Sequence, residues 1–135
     1  MKALDTNVLA RFFIDDPDDV ESRRQRPVAA RAMRGPVWVS ITVLLELEWV
    51  MRGFYELSTH DAVRILHALC GLENATIEDR DHVLTAVAWY AGGMDFADAL
   101  HLARSTRCDA LVTLDRRLVR RSSKLGTRPL AEHAR

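Results

Sequence analysis

Cysteine is scarce in this sequence. Cys70 and Cys108 stand alone, with no C-x-x-C pair and no H-E-x-x-H stretch, so zinc and thiol–disulfide motifs are excluded. Two solitary cysteines read as small core residues. The five histidines are scattered, and none is placed to act as a nucleophile's base. No apolar run approaches the ~20 residues that a helical membrane span needs. The N-terminus lacks the basic, apolar and cleavage regions of a signal peptide, so the cytoplasm is the expected compartment and no membrane association is expected. Internal repeats, low-complexity tracts and linkers are also missing. The 135 residues are therefore expected to form one domain over 1–135, large enough for a hydrophobic core.

Neither sign of charge is in excess: 19 Lys and Arg balance 19 Asp and Glu. Their distribution is uneven, however. Between Arg104 and Arg128 the chain carries Arg107, Arg116, Arg117, Arg120, Arg121 and Lys124 against only Asp109 and Asp115. Such a segment is either a solvated helix face or a surface that draws in a nucleic-acid backbone.

Short strands alternate with helices along the chain. "MKALD" reads as a strand ending in Asp5, and "TNVLARFFI" as an amphipathic helix. "DDPDDV" stops that helix and opens another, with Pro17 near its first turn and Pro27 expected to kink or split it. "GPVWVS" is turn then strand, and "ITVLLELEWVMRGF" a helix ending near Gly53. "STHDAVRILHALCGL" is a helix capped by Ser58 or Thr59 and closed by Gly71. A strand "NATIE" and a helix "DRDHVLTAVAWYAGG" follow. The helix from Asp95, the strand "DALVTL" and a short basic helix from Asp115 complete the pattern. "KLGTRPLAEHAR" reads as either a weak edge strand or a loose tail. The alternation calls for a parallel sheet covered on both faces, with ligands bound beyond the carboxyl ends of its strands. Asp5 and Asp115 both follow strands and are expected at that edge.

Two further places concentrate acids. "DFADALHLA" begins with Asp95 and Asp98 one turn apart, a pattern that suits helix capping but also suits a carboxylate cluster. In "ITVLLELEWVMRGF" the apolar residues cover nearly the whole helix circumference, so this helix calls for burial or for cover by a partner. Glu46 and Glu48 are its only acids, and two residues apart they face different directions. Periodicity does not say which of them turns inward. Trp49, Phe54 and Tyr55 are expected to form an apolar surface that a partner would cover.

The stretches "LDTNVLARF", "SITVLLELEWVM", "DFADALHLA" and "LVTLD" come in the order and spacing of PIN-domain ribonucleases. The chain most resembles the VapC-type toxins of bacterial and archaeal toxin–antitoxin pairs, from Lys2 to about Leu118. The family's acidic pattern falls on Asp5, Glu46, Asp98 and Asp115. Asp95 matches an auxiliary acid, and Glu48 matches no required position. The resemblance implies a three-layer α/β/α fold with a central, mainly parallel sheet. It also implies an endoribonuclease dependent on Mg²⁺ or Mn²⁺, a cognate VapB-type antitoxin and a homodimer. Asp5 and Asp98 would ligate the metal directly. Glu46 and Asp115 would act through water, hold a second metal or orient the nucleophile. Asp95 is an auxiliary ligand candidate.

The chemistry suits these residue types. A hard divalent cation with oxygen ligands screens an anionic phosphodiester and activates water, so the expected products are a 5′-phosphate and a 3′-hydroxyl. Asn7 and Thr113 stand beside ligand positions, and each is equally well read as a helix cap and a strand residue, respectively. His101, one turn beyond Asp98, reads as an exposed residue or an RNA contact. Phosphotransferases of the haloacid dehalogenase type need an Asp two residues after the first, where this chain has Asn7. A housekeeping PIN nuclease and a non-catalytic PIN interaction module are the remaining alternatives.

Overall fold

Lys2–Ala3 form strand β1, and at Asp5 the chain turns into helix α1, Thr6–Phe13. The computed structural model describes residues Met1–Arg135 and divides them into two compact units, Met1–Glu78 and Asp79–Arg135. Each is described by itself.

The first unit continues with α2 (Val20–Ala32), β2 (Val37–Val39), α3 (Ile41–Gly53), α4 (Thr59–Cys70) and β3 (Ala75–Ile77). Its strands form a parallel sheet in the order β1-β2-β3, with Lys2 opposite Val37 and Val37 opposite Ala75. Polar caps set the helix starts: Ser40 Oγ accepts from the Val43 N–H at 3.2 Å, and Ser58 Oγ from the Asp61 N–H at 3.1 Å. Glu78, just past β3, adds a second restraint by accepting the Ile41 N–H at 2.9 Å. Leu9, Leu44, Leu47, Met51, Leu66 and Leu69 are fully buried at the centre. Each such side chain contributes about 1.5–3 kcal/mol by leaving water.

The second unit contains α5 (Arg80–Ala91), α6 (Phe96–Ala103), β4 (Ala110–Thr113), α7 (Arg116–Leu125) and β5 (Leu130–His133). Helices α5 and α6 pack together around Val83, Val87, Phe96 and Leu102, all fully buried. The rings of Tyr90 and Phe96 lie 5.3 Å apart. Strands β4 and β5 pair in parallel, Ala110 opposite Leu130, with α7 packed on both. A buried hydroxyl chain ties α7 to β5. The Thr127 hydroxyl donates to the Pro129 carbonyl at 2.9 Å, so Ser122 must donate to Thr127 at 2.6 Å; Ser122 then accepts the Ala131 N–H at 2.8 Å.

The expected α/β fold with parallel strands is present, its hydrogen-bonded strands grouped three and two. Three expectations need correction. Of the kink or split expected at Pro27, the split does not occur: α2 runs unbroken from Val20 to Ala32 with Pro27 inside it, exposed, and giving up a single backbone donor. Pro17 is not in the first turn. Asp19 caps α2 instead, its carboxylate accepting the Ser22 N–H at 3.0 Å, and Pro17 lies in the preceding turn. Cys108 is exposed in the loop before β4, whereas Cys70 is a buried core residue as expected. The C-terminal segment resolves as strand β5.

Candidate active site

The double glycine after α5 aims the next segment. Gly93 sits at φ +105°, a conformation that side chains rarely adopt, and the chain then enters α6 through Asp95. Asp95 Oδ2 accepts the Asp98 N–H at 3.2 Å, so Asp95 is the cap. Asp98, on the first turn and half-buried, has a carboxylate that makes no hydrogen bond or ion pair.

Asp115 arrives from a different element. It follows β4, and its backbone N–H donates to Thr113 Oγ1 at 3.0 Å. Its Oδ1 caps α7 by accepting the N–H groups of Arg117 at 2.9 Å and Leu118 at 3.2 Å. Oδ2 takes no hydrogen bond. Thr113 is thus both a strand residue and the group that orients Asp115.

Asp95, Asp98 and Asp115 line one cavity of about 250 Å³ together with Arg117 and Arg121. Partial burial raises the Asp98 carboxyl above its ordinary value, and the negative charge of Asp95 raises it further. His101 opposes this, and Asp115 adds to it. A carboxylate held beside like charges with no donor of its own is poised to accept a cation.

In the first unit, Asp5 is exposed beyond the end of β1, and its Oδ1 caps α1 by accepting the Thr6 N–H at 2.8 Å. Asn7 is therefore not the cap, and it lines an apolar groove with Val8, Arg11 and Val28. Beside Asp5, Thr6 Oγ1 is the one buried side-chain polar atom without a hydrogen-bond partner. The two glutamates of α3 separate cleanly: Glu46 is exposed, whereas Glu48 is 4% exposed and its Oε1 accepts from Arg52 Nε at 2.9 Å. Much of the α3 circumference is buried or half-buried, but Trp49 and Phe54 remain 67% and 72% exposed. Tyr55 is half-buried and is hydrogen-bonded by Arg11.

Comparison with known families gives one match. The PIN domain model matches residues 2–124, through both units. The chain belongs to the PIN domain family. No curated protein and no solved structure gives a match. PIN domains are generally nucleases, and PIN nucleases typically use divalent metals. The donor set of the second unit fits such a metal in kind, with hard carboxylate oxygens, like charges held together and one acid without a partner. No three acidic, histidine or cysteine side chains gather closely enough to form a complete ion site by themselves. No helix of this PIN domain is long and apolar enough to cross a membrane.

Sequence reasoning does not find the seating of Arg121 on Gly93. A Cβ built at Gly93 would lie 3.1 Å from an Arg121 terminal nitrogen and 3.2 Å from its guanidinium carbon. Two adjacent glycines in "AGGMD" announce a helix stop and do not reveal which side chain uses the space.

Proposed function

We propose that this PIN domain, residues 1–135 acting as one nuclease domain, is a divalent-metal-dependent endoribonuclease. It is further read as the VapC-type toxin of a cytoplasmic toxin–antitoxin pair. The observation that carries the nuclease reading is the unpartnered carboxylate of Asp98 facing Asp95 and Asp115 in a cavity that also holds Arg117 and Arg121. Acid beside base in one recess suits a site that takes both a cation and a phosphate.

Asp98 and Asp115 would hold Mg²⁺ or Mn²⁺, with Asp95 auxiliary; Asp5 and Glu46 are assigned by their motifs. When bound, the metal lowers the pKa of water and stabilises the departing oxygen of the phosphodiester. The chain's own residues do the rest. Asp95 fixes the start of α6 and so the direction in which Asp98 points, while Thr113 and the α7 amides fix Asp115. Structured RNA cut at a single-stranded loop is the expected substrate, since only an unpaired backbone reaches a recessed carboxylate.

The toxin reading rests on the order of the four motifs and on the exposed pair Trp49 and Phe54, an apolar surface suited to an antitoxin helix. A homodimer is part of the same reading. Incubating end-labelled structured RNA with the protein and Mg²⁺ or Mn²⁺ tests the activity. Discrete products with 5′-phosphate ends, abolished by EDTA and by Asp98→Asn, support it. Metal binding without cleavage would leave a non-catalytic PIN module. Growth arrest on expression, relieved by a co-expressed neighbouring small protein, separates toxin from housekeeping nuclease.

A further inference from the structure

We propose that α7 carries a phosphate track that leads a single RNA strand into the Asp98 cavity. This rests on the nuclease reading above and adds to it the surface that grips the substrate.

Arg117, Arg120, Arg121 and Lys124 recur at i, i+3, i+4 and i+7, so they lie along one side of α7. The other side holds Leu118 and Ser122, both buried against the unit's interior. From Arg117 to Lys124 the stripe extends ~10 Å at 1.5 Å per residue. None of these four cations makes an ion pair, although the unit contains free carboxylates. Unpaired neighbouring cations repel one another, and they gain most from a polyanion that meets several at once.

The stripe is also shaped. Arg117, Arg120, Arg121 and Lys124 line a cavity of about 430 Å³ whose remaining wall is Gly93. Gly93, Arg117 and Arg121 line the carboxylate cavity as well, so the two recesses share a boundary. Arg121 lies against the bare backbone of Gly93, where any side chain would crowd its guanidinium. A strand with one phosphate beside Asp98 and Asp115 therefore places the next phosphates over Arg120 and Lys124. A duplex backbone is fixed to its complement and cannot be drawn into the recess, whereas a single strand can.

The test uses a 5′-fluorescein 12-nucleotide RNA of mixed sequence, in EDTA so that nothing is cut, with anisotropy read over a range of salt. Arg120→Gln combined with Lys124→Gln should raise Kd about tenfold or more at low salt. It should also flatten the log–log salt slope by about 0.7 per cation lost. Arg31→Gln combined with Arg34→Gln removes the same charge from the first unit and should leave Kd within twofold. Melting temperatures confirm that both variants are folded. Equal losses in the two double variants, an unchanged slope, no RNA binding by the wild type, or equal binding to a 12-base-pair duplex would each overturn the track. Cleavage that persists with an unchanged Kd in the α7 variant sinks the track and spares the nuclease reading. Track behaviour without metal-dependent cleavage does the reverse.

Discussion

Asp95 and Asp98 divide two tasks between them: Asp95 Oδ2 accepts the Asp98 backbone N–H at 3.2 Å, and the Asp98 carboxylate is left without a partner. One acid is used to shape the helix start. The other is held by that shape, beside charges of its own sign.

Asp98→Asn removes a repelled charge and keeps the side chain's form. In EDTA the variant should melt at the wild-type temperature or above it, because the lost charge was opposed by Asp95 and Asp115. RNA cleavage should fall about 100-fold or more. Mg²⁺ should raise the wild-type melting temperature by mass action and the variant's much less. Asp95→Ala should show the opposite balance, losing about 1 kcal/mol of stability with its cap. Calorimetry with and without metal reads the stabilities, and a gel assay of labelled RNA reads the cleavage. A lower melting temperature for Asp98→Asn in EDTA would reassign that residue to helix stabilisation.

The glutamates of α3 should respond in opposite ways. Glu48 is buried and paired with Arg52, so Glu48→Ala should cost about 1–3 kcal/mol by leaving a hole and a stranded partner. Glu46 is exposed, and Glu46→Ala should change stability by under ~0.5 kcal/mol while lowering cleavage. Urea unfolding beside a cleavage assay separates the two effects.

Acid should weaken the second unit through Asp79. His82 Nδ1 lies 2.8 Å from one of its carboxylate oxygens and Arg104 Nε 3.2 Å from the other. The His82 hydrogen bond is the largest cause of a carboxyl pKa below the ordinary value; Arg104 adds to it and partial burial opposes it. A depressed folded pKa means the stabilisation is present above the usual carboxylate range and is lost as pH falls through the lower, folded value. Asp79→Asn keeps a residue that tolerates φ 52° and should cost no more than about 1 kcal/mol near neutrality. The gap between wild type and variant should close below about pH 4. A gap that stays constant from pH 7 to pH 3 would show that the pair contributes nothing through charge.

Trp49 tests the apolar surface. With two-thirds of it exposed, Trp49→Asp should shift stability by under ~0.5 kcal/mol. If the proposed toxin role holds, binding to a cognate antitoxin should weaken by at least tenfold, measured by titration calorimetry. An unchanged affinity would remove Trp49 from the proposed docking surface.

Much of the fold was legible because punctuation and periodicity agree in this chain. Ser58 and Gly71 bracket α4, Gly92 stops α5, and Asp95 and Asp115 open the helices that follow them. Pro27 misled because one missing backbone donor on an exposed face does not end a helix whose other bonds hold. Asp98 stood out through its family motif, and capping geometry then explained its direction. Glu46 and Glu48 could not be told apart by pattern, since apolar residues surround both. Arg121 was visible only as one cation in a run. Its use of the space over Gly93 depends on two segments that lie 28 positions apart and meet only once folded.

The hydroxyl chain from the Ala131 N–H through Ser122 and Thr127 to the Pro129 carbonyl has a practical consequence. The family model matches as far as residue 124, inside α7, while three of the four residues in that chain lie beyond it. Trimming to the shared region would remove β5, the only strand paired with β4, and would open the Ser122 pocket to solvent. Residues 125–135 work as a clasp on the helix that bears the cations, so a shortened variant used in any of these assays should keep them.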